Sequence, residues 1–289
     1  RPDIVHTHMH NGKYWGRLAA VAAGVPHIVH TEHDPNFRMH GFERAAATIL
    51  MHRTERFIAF SPGHRTRLAS AEGIPFGKIA VIPNGIAFRP MPPDARERGR
   101  RLLGAARGEL AIVMVGRLES QKNHELALRA FACLPEHLRG VARLHIIGAG
   151  SREASLRALA NQLEIDPVVT FLGFRRDSLD LIAGGDAMLM TSQSEAMPIA
   201  LIEGMSLALP VVSAPWLGAA EMLDGGDLGY VASSFAPEDV AFKLARALSE
   251  PQEAHAKAAA ARAKALAEYD LRTAVARHHE LYRTLVGTS

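Results

Sequence analysis

Two glutamates stand eight positions apart in "TSQSEAMPIALIEGMSLALPVV", Glu195 and Glu203, where a short apolar strand gives way to a helix. Carboxylates are strong, directional acceptors for hydroxyl donors. If both face the strand tips, one can hold the hydroxyls of a sugar and the other those of a ribose. The plainer alternative leaves Glu195 in solvent and Glu203 favouring the helix dipole. Upstream, in "VMVGRLESQKNHELALRAF", a strand ends at Gly116, Arg117 follows, and Lys122 precedes a helix that Asn123 can cap. Two cations beside free helix N–H groups make an anion site suited to a diphosphate. The same spacing also fits surface residues of an ordinary strand-to-helix loop. In "LHIIGAGSREASLRAL", Gly148 and Gly150 let backbone approach a ligand, but Glu153 stands where a dinucleotide fingerprint needs its third glycine. "VTFLGFRRD" offers backbone at Leu172, Gly173 and Phe174 ahead of Arg175 and Arg176, a seat for a flat base or a plain strand ending.

Nine of the fifteen histidines precede Arg65, and His6, His8 and His10 share one strand face by the period-2 rule. That period does not separate metal ligands from residues lining a cleft; the expectation adopted is no metal. Cys133 is the single cysteine, so an internal disulfide is excluded, and it sits in a helical apolar stripe suited to a buried thiol.

These loops need elements to hold them. Short apolar runs alternate with amphipathic ones, the pattern of parallel strands with covering helices, hence an α/β fold. Strand candidates are Asp3 to His8, Pro26 to Glu32, Arg56 to Ser61 and Ile79 to Asn84, with helices over Tyr14 to Gly24 and Gly41 to Arg53. Prolines, glycines and charges then cluster between Pro83 and Gly99, the best linker in the chain. The alternation restarts with "LAIVMVGRL" and runs through "RLHIIGAG", "VVTFLG", "DAMLMTSQ", "LPVVSA" and "GYVAS" to an Ala-rich helical tail over Ala236 to Leu285. In open parallel sheets ligands bind beyond the carboxyl ends of the strands, which is where the loops above fall. The boundaries expected are a first Rossmann-like domain over 1–88, incomplete at its front, and a linker over 89–108. A second such domain comes next over 109–270, then a C-terminal helix over 271–289 that is a candidate for packing back on the first.

At 289 residues with nearly half of them apolar, the chain can build two cores. No run of about 18 apolar residues exists to span a bilayer, and no signal peptide is visible. The opening "RPDIVHTH" lacks an initiator methionine and enters a strand at once, so natural sequence is expected upstream. Arg and Lys outnumber Asp and Glu by 15 to 8 over residues 1–101 but trail them by 18 to 22 thereafter. A basic front favours an anionic partner: a phosphorylated ligand, an anionic membrane surface or nucleic acid. For "RERGRR", Arg96 to Arg101, a solvated segment is the simpler reading.

Taken together and in order, these segments resemble the family 4 retaining glycosyltransferases of the GT-B fold, in which two Rossmann-like domains face each other across a cleft. The resemblance also covers "VIPNGI" as an inter-domain hinge and "LPVVSAPWLGAAEML" after the glutamate pair. It implies a donor diphosphate at Gly116, Arg117 and Lys122, with Gly148 in a donor-domain turn and a base near Leu172, Gly173 and Phe174. It implies the donor sugar at Glu195 and its neighbours Met197, Pro198 and Ile199, and the ribose at Glu203. "HIVHTEHDP" matches the family's active-site histidine at His33, with His8 a second cleft candidate; the catalytic set implied is His33, Glu195, Arg117 and Lys122. Two departures stand out. Ala196 and Ala208 occupy places where the family usually has glycine.

The resemblance thus implies a hexosyltransferase-type reaction from a nucleotide-diphosphate sugar, UDP first and GDP or ADP as alternatives, with no cofactor. The acceptor expected is a hydroxyl of a glycan, lipid or small molecule, as in polysaccharide or glycolipid biosynthesis. The location expected is the cytoplasm, with an option of peripheral contact at the inner face of the membrane. A non-catalytic nucleotide-sugar binding chain and a GT-B sugar-nucleotide epimerase are the alternatives. A nicotinamide enzyme is disfavoured by the incomplete glycine fingerprint, and nucleic-acid binding by the lack of an aromatic-rich basic module.

Overall fold

The computed structural model describes residues 2–33 and 41–287. The chain forms two compact units: Arg1–Ala87 with Ser194–Met197 and Glu268–Ser289, and Phe88–Gln193 with Pro198–Ala267.

The first unit holds a four-stranded, wholly parallel sheet in chain order: β1 (Ile4–His8), β2 (His27–Thr31), β3 (Arg56–Ala59) and β4 (Ile79–Val81). Alternation along each strand sends residues to opposite faces. On one face Phe57, Ala59 and Ile79 pack with Leu68 of helix Pro62–Glu72. On the other, Val29, Ile58 and Ile82 meet Leu281, Tyr282 and Leu285 of helix Leu271–Val286. Fully burying a leucine or isoleucine is worth about 1.5–3 kcal/mol, so this last helix is part of the first unit's core. It is anchored at its start, where the Asp270 carboxylate accepts the Arg272 N–H at 2.7 Å and Ile86 pairs with Asp270 in a parallel bridge.

The second unit carries β5 (Leu110–Val115), β6 (Ala142–Ile147), β7 (Val169–Phe171), β8 (Ala187–Met190), β9 (Val211–Ser213) and β10 (Tyr230–Val231). Their spatial order is β10-β9-β8-β5-β6-β7, all parallel. The chain starts in the middle at β5, winds outward to β7, then returns to the other side of β5 with β8. The order reverses between β5 and β8, and there a doubly wound sheet leaves a crevice at its carboxyl edge. Ile112, Leu144, Ile146, Leu189 and Val212 form the core with Leu128 and Phe131 of helix His124–Ala132 and Val240 and Leu244 of helix Pro237–Ser249.

The structure departs from three expectations. The stretch 89–108 is not simply a linker, since it contains helix Ala95–Leu103, packed within the second unit. A side chain on Gly99 would collide with the Asp180 carbonyl and the Gly184 nitrogen, so the two backbones touch. Nor is "RERGRR" simply a solvated run: Arg96, Glu97 and Arg101 are exposed, but Arg96 and Arg100 bond Asp186 at 2.5 and 2.9 Å, and Arg98 pairs with Asp180. The Ala-rich helical tail consists of three helices, Pro237–Ser249, Pro251–Glu268 and Leu271–Val286. Pro251 breaks the first from the second because it offers no N–H to continue the ladder. Cys133 is exposed rather than buried, because helix His124–Ala132 stops just before it and the apolar stripe passes on to Leu134.

Candidate functional site

In the second unit the loops after β5, β6 and β7 converge on one edge. The Gly116 N–H bonds the Ile147 carbonyl at 3.0 Å, the Leu118 N–H the Ala149 carbonyl at 3.0 Å, and the Gly148 N–H the Gly173 carbonyl at 2.8 Å. Gly148 has φ +152, and a side chain there would collide with the Gly116 carbonyl; one on Gly150 would meet the Leu118 backbone at 2.5 Å. The room these glycines leave on the side-chain direction is filled by protein backbone. Their work is to bring the tips of β5 and β6 together.

At the junction of β5 and β8, Thr191 Oγ1 donates to the Asn123 carbonyl at 2.9 Å and the Gln193 N–H to the Gln121 carbonyl at 2.8 Å. This ties the loop after β8 to the one bearing Arg117 and Lys122. Arg117 is exposed and makes no ion pair among the described residues. The aliphatic stem of Lys122 lies over Gly116, whose Cβ would stand 3.2 Å from it. Asn123 does not cap the following helix with its side chain; it takes left-handed angles, φ 51 and ψ 48, which asparagine tolerates better than most residues. His124 then opens helix His124–Ala132 almost wholly buried, and burial, followed by the charges of Lys122 and Arg152, pushes its pKa down to about 4. It is a neutral residue under two cations, and no feature of its sequence context marks it out.

Leu172 spends its N–H on the Ile146 carbonyl at 2.8 Å, Gly173 takes φ +67, and Phe174 projects with 75% of its surface exposed. Arg175 is locally engaged, gripping Asp177 through two bonds of 2.8 and 2.6 Å. On the far side of the switch point, Pro198 precedes helix Ile199–Ser206, which carries Glu203 half-buried. A side chain on the next residue, Gly204, would meet Met188 Sδ at 2.5 Å, so glycine lets this helix lie close on β8. No described side chain bonds the Glu203 carboxylate, and burial raises its pKa from the ordinary value.

Segment Ser194–Met197 belongs to the first unit. Asn84 holds it: its side-chain amide donates to the Met197 carbonyl at 3.0 Å, and its backbone N–H to Met197 Sδ at 3.1 Å. Glu195 is buried there, and Ala196 has no positive φ. Ala208, by contrast, stands at φ 53, a conformation glycine adopts at less cost.

The first unit also gathers histidines. His8 Nδ1 lies 3.1 Å from His33 Nε2, and the His6 and His8 rings pack with centroids 4.1 Å apart and planes tilted by 35°. His6 is held on both sides, by the Tyr282 hydroxyl at 2.5 Å and Thr31 Oγ1 at 2.7 Å. Burial pushes His6 down to about 3 and lowers His8 and His33 as well. The side chain of His10 lies outside the described residues. Just before His33, Glu32 accepts the His33 N–H at 3.0 Å and pairs with buried Lys13 at 2.5 Å; Lys13 also pairs with Glu72 at 2.7 Å. A buried cation between two carboxylates thus pins the end of β2. Lys13, in a helical run of the sequence, carries no mark of this role.

Comparison with known proteins matches this architecture to a family. The model for glycosyl transferases group 1 matches residues 96–264, and that for Glycosyltransferase Family 4 matches residues 1–88. The chain belongs to the group 1 glycosyltransferases. It is 30% identical over 222 residues to the Escherichia coli UDP-Gal:alpha-D-GlcNAc-diphosphoundecaprenol alpha-1,3-galactosyltransferase, covering 73% of this chain and 57% of that one. It is 27% identical over 275 residues to the D-inositol 3-phosphate glycosyltransferase of Gordonia bronchialis, covering 86% and 59%. The chain therefore spans less than two thirds of the length of these curated relatives. Among solved structures, Anabaena Alr3699/HepE in complex with UDP-glucose superposes with a TM-score of 0.88 at 24% identity, over 98% of this chain and 79% of that one. The fold is GT-B.

Proposed function

We propose that the chain serves a retaining transfer of a sugar from a nucleoside-diphosphate donor to an acceptor hydroxyl. The observation that carries this reading is Glu203: a half-buried carboxylate, unmatched by any described side chain, on the helix that follows the β5/β8 switch point. Burying such a group without a partner costs stability, and hydroxyl donors of a ribose would offset that cost. Arg117 and Lys122, beside the N-terminus of helix His124–Ala132, neutralise the diphosphate as it departs, with charge placed where charge develops. Glu195 accepts from sugar hydroxyls, the backbone of Leu172, Gly173 and Phe174 flanks the base, and His33 orients the sugar or the acceptor. Met197, Pro198 and Ile199 shape the turn between the two glutamates. In the front-face course that the family resemblance implies, the acceptor oxygen bonds the anomeric carbon as the bond to the leaving phosphate breaks. The acceptor proton passes to that phosphate.

UDP is the donor nucleotide proposed, supported by the UDP-glucose complex of the Anabaena protein and by the name of the Escherichia coli relative. The acceptor proposed is a glycan or lipid-linked hydroxyl reached at the inner face of the membrane. Trp15 and Leu18, exposed in the basic front, suit peripheral contact with that surface from the cytoplasm. Among the described residues no helix is long and apolar enough to cross a membrane.

Calorimetric titration with UDP, GDP and ADP tests the donor site. UDP should bind saturably, and Glu203→Ala and Lys122→Ala should each weaken it about tenfold or more, the loss of one charge-assisted contact. Unchanged binding in both variants sinks the assignment. In the chain with its natural flanking sequence, the same variants should lose transfer.

A further inference from the structure

We infer that His8 is a positioning residue for His33, and that the two rings work as a neutral, hydrogen-bonded pair held in place from the C-terminal helix. This rests on the reading of His33 as the residue that orients sugar or acceptor. Proton counting sets the constraint. At 3.1 Å, His8 Nδ1 and His33 Nε2 share one hydrogen, so one nitrogen donates and the other accepts. A second proton would set N–H against N–H and break the contact. The bond therefore exists only while at least one ring is neutral. It also ties the His33 tautomer to that of His8: if His8 donates, the His33 proton sits on Nδ1, and if His33 donates, Nδ1 presents a lone pair. Either way Nε2 is taken and Nδ1 is the edge left to a substrate. Its ring plane is steadied by Phe60, edge-on at 5.1 Å between centroids.

What holds His8 is equally specific. Its ring packs at a tilt on His6, which is clamped between Tyr282 and Thr31. Tyr282 and His278 come from helix Leu271–Val286; His278 bonds the Ala274 carbonyl at 2.8 Å and lies 5.9 Å from the His6 ring centre. The groups facing the pair are thus His6 on β1, His278 and Tyr282 on the C-terminal helix, and after β2 Glu32, the carboxylate that accepts the His33 N–H; His30 faces His6 behind them. Burial, followed by His278 at His8 and by His8 at His33, disfavours added positive charge, and Glu32 opposes this at His33, so both rings are held toward the neutral form. A helix encoded about 240 residues after His33 sets the ring that sets its tautomer.

His8→Phe keeps a ring to pack on His6 and deletes the shared hydrogen; His8→Asn can restore a hydrogen-bonding group near the lost nitrogen. The first measurement is long-range proton–nitrogen correlation on histidine-labelled protein across pH, which reports tautomer and titration without needing activity. His33 should show a single tautomer in the native chain and a mixture of the two in His8→Phe, where no partner nitrogen selects one. Identical His33 tautomer populations in both proteins overturn the inference. The second is turnover of the chain with its natural flanking sequence. His8→Phe should lower kcat about 100-fold, the usual effect of a misplaced reacting group. Donor KM should stay within about threefold, and His8→Asn should recover part of the loss. A kcat for His8→Phe equal to the native value, with His33→Ala inactive, overturns this inference alone; full turnover by His33→Ala would instead remove the role of His33 itself.

Discussion

Glu203 makes a trade-off measurable. Its pKa is raised in the folded protein, so the native state binds that proton more tightly than the unfolded chain does. Stability is thus lost as pH rises through the unfolded and then the folded pKa, and the ionised group burdens the fold at neutral pH. Glu203→Gln should raise Tm at pH 7, with the gain closing as pH falls below the folded pKa of the native glutamate, while nucleotide binding weakens. A Tm gain equal at pH 4 and pH 7 would refute this account. Ala208 tests backbone cost in the same way. At φ 53 an alanine carries about 1–2 kcal/mol of steric penalty, so Ala208→Gly should stabilise by about 1 kcal/mol in urea unfolding. Family resemblance, rather than spacing alone, makes Glu203, Arg117 and Lys122 legible in the sequence. The left-handed turn at Asn123, the strain at Ala208 and the backbone filling the space at Gly148 are not, because each depends on what a neighbouring loop does. Asn84 escapes for the same reason: its partner, Met197, is more than a hundred residues away.

The strands are the most readable elements, since buried parallel strands write themselves as short apolar runs. All but one of the ten lie inside the segments singled out from the sequence, shortened where polar residues begin the loops; β6 starts one residue early, at Ala142. Helix Gly41–Arg53 matches its expected span. Helix Pro62–Glu72 has no counterpart among the expected elements because few of its residues are apolar, although Ser61 caps it by accepting the His64 N–H at 3.1 Å and Pro62 suits its first position. Helix Ala95–Leu103 reads as linker because four arginines dominate it. The sign to look for is Gly99 among them, the residue at which it touches the backbone at Gly184. Gly99→Ala should cost about 3 kcal/mol or more, since neither side of a backbone-to-backbone contact can move away cheaply. Urea unfolding followed by circular dichroism measures it. A loss below about 0.5 kcal/mol would mean that the ion pairs to Asp180 and Asp186, not the close approach, hold this helix.

Across the chain, the alternation of strand and helix makes two α/β units legible, but not which unit owns which residues. Periodicity is local, whereas the assignment of Ser194–Met197 and of the last helix to the first unit rests on contacts distant in sequence. That ownership has a consequence for how the protein is made. The sheet of the first unit leaves the ribosome early, yet the helix that covers Val29, Ile58 and Ile82 is encoded only from Leu271 onward. At about 5–20 residues per second, roughly 10 to 40 s separate the two. Throughout that interval the nascent chain displays an unsealed apolar sheet face while the second unit is still being made. A chaperone that shields such a face would find its client here in the earlier half of the polypeptide, and would be released by the arrival of the final helix.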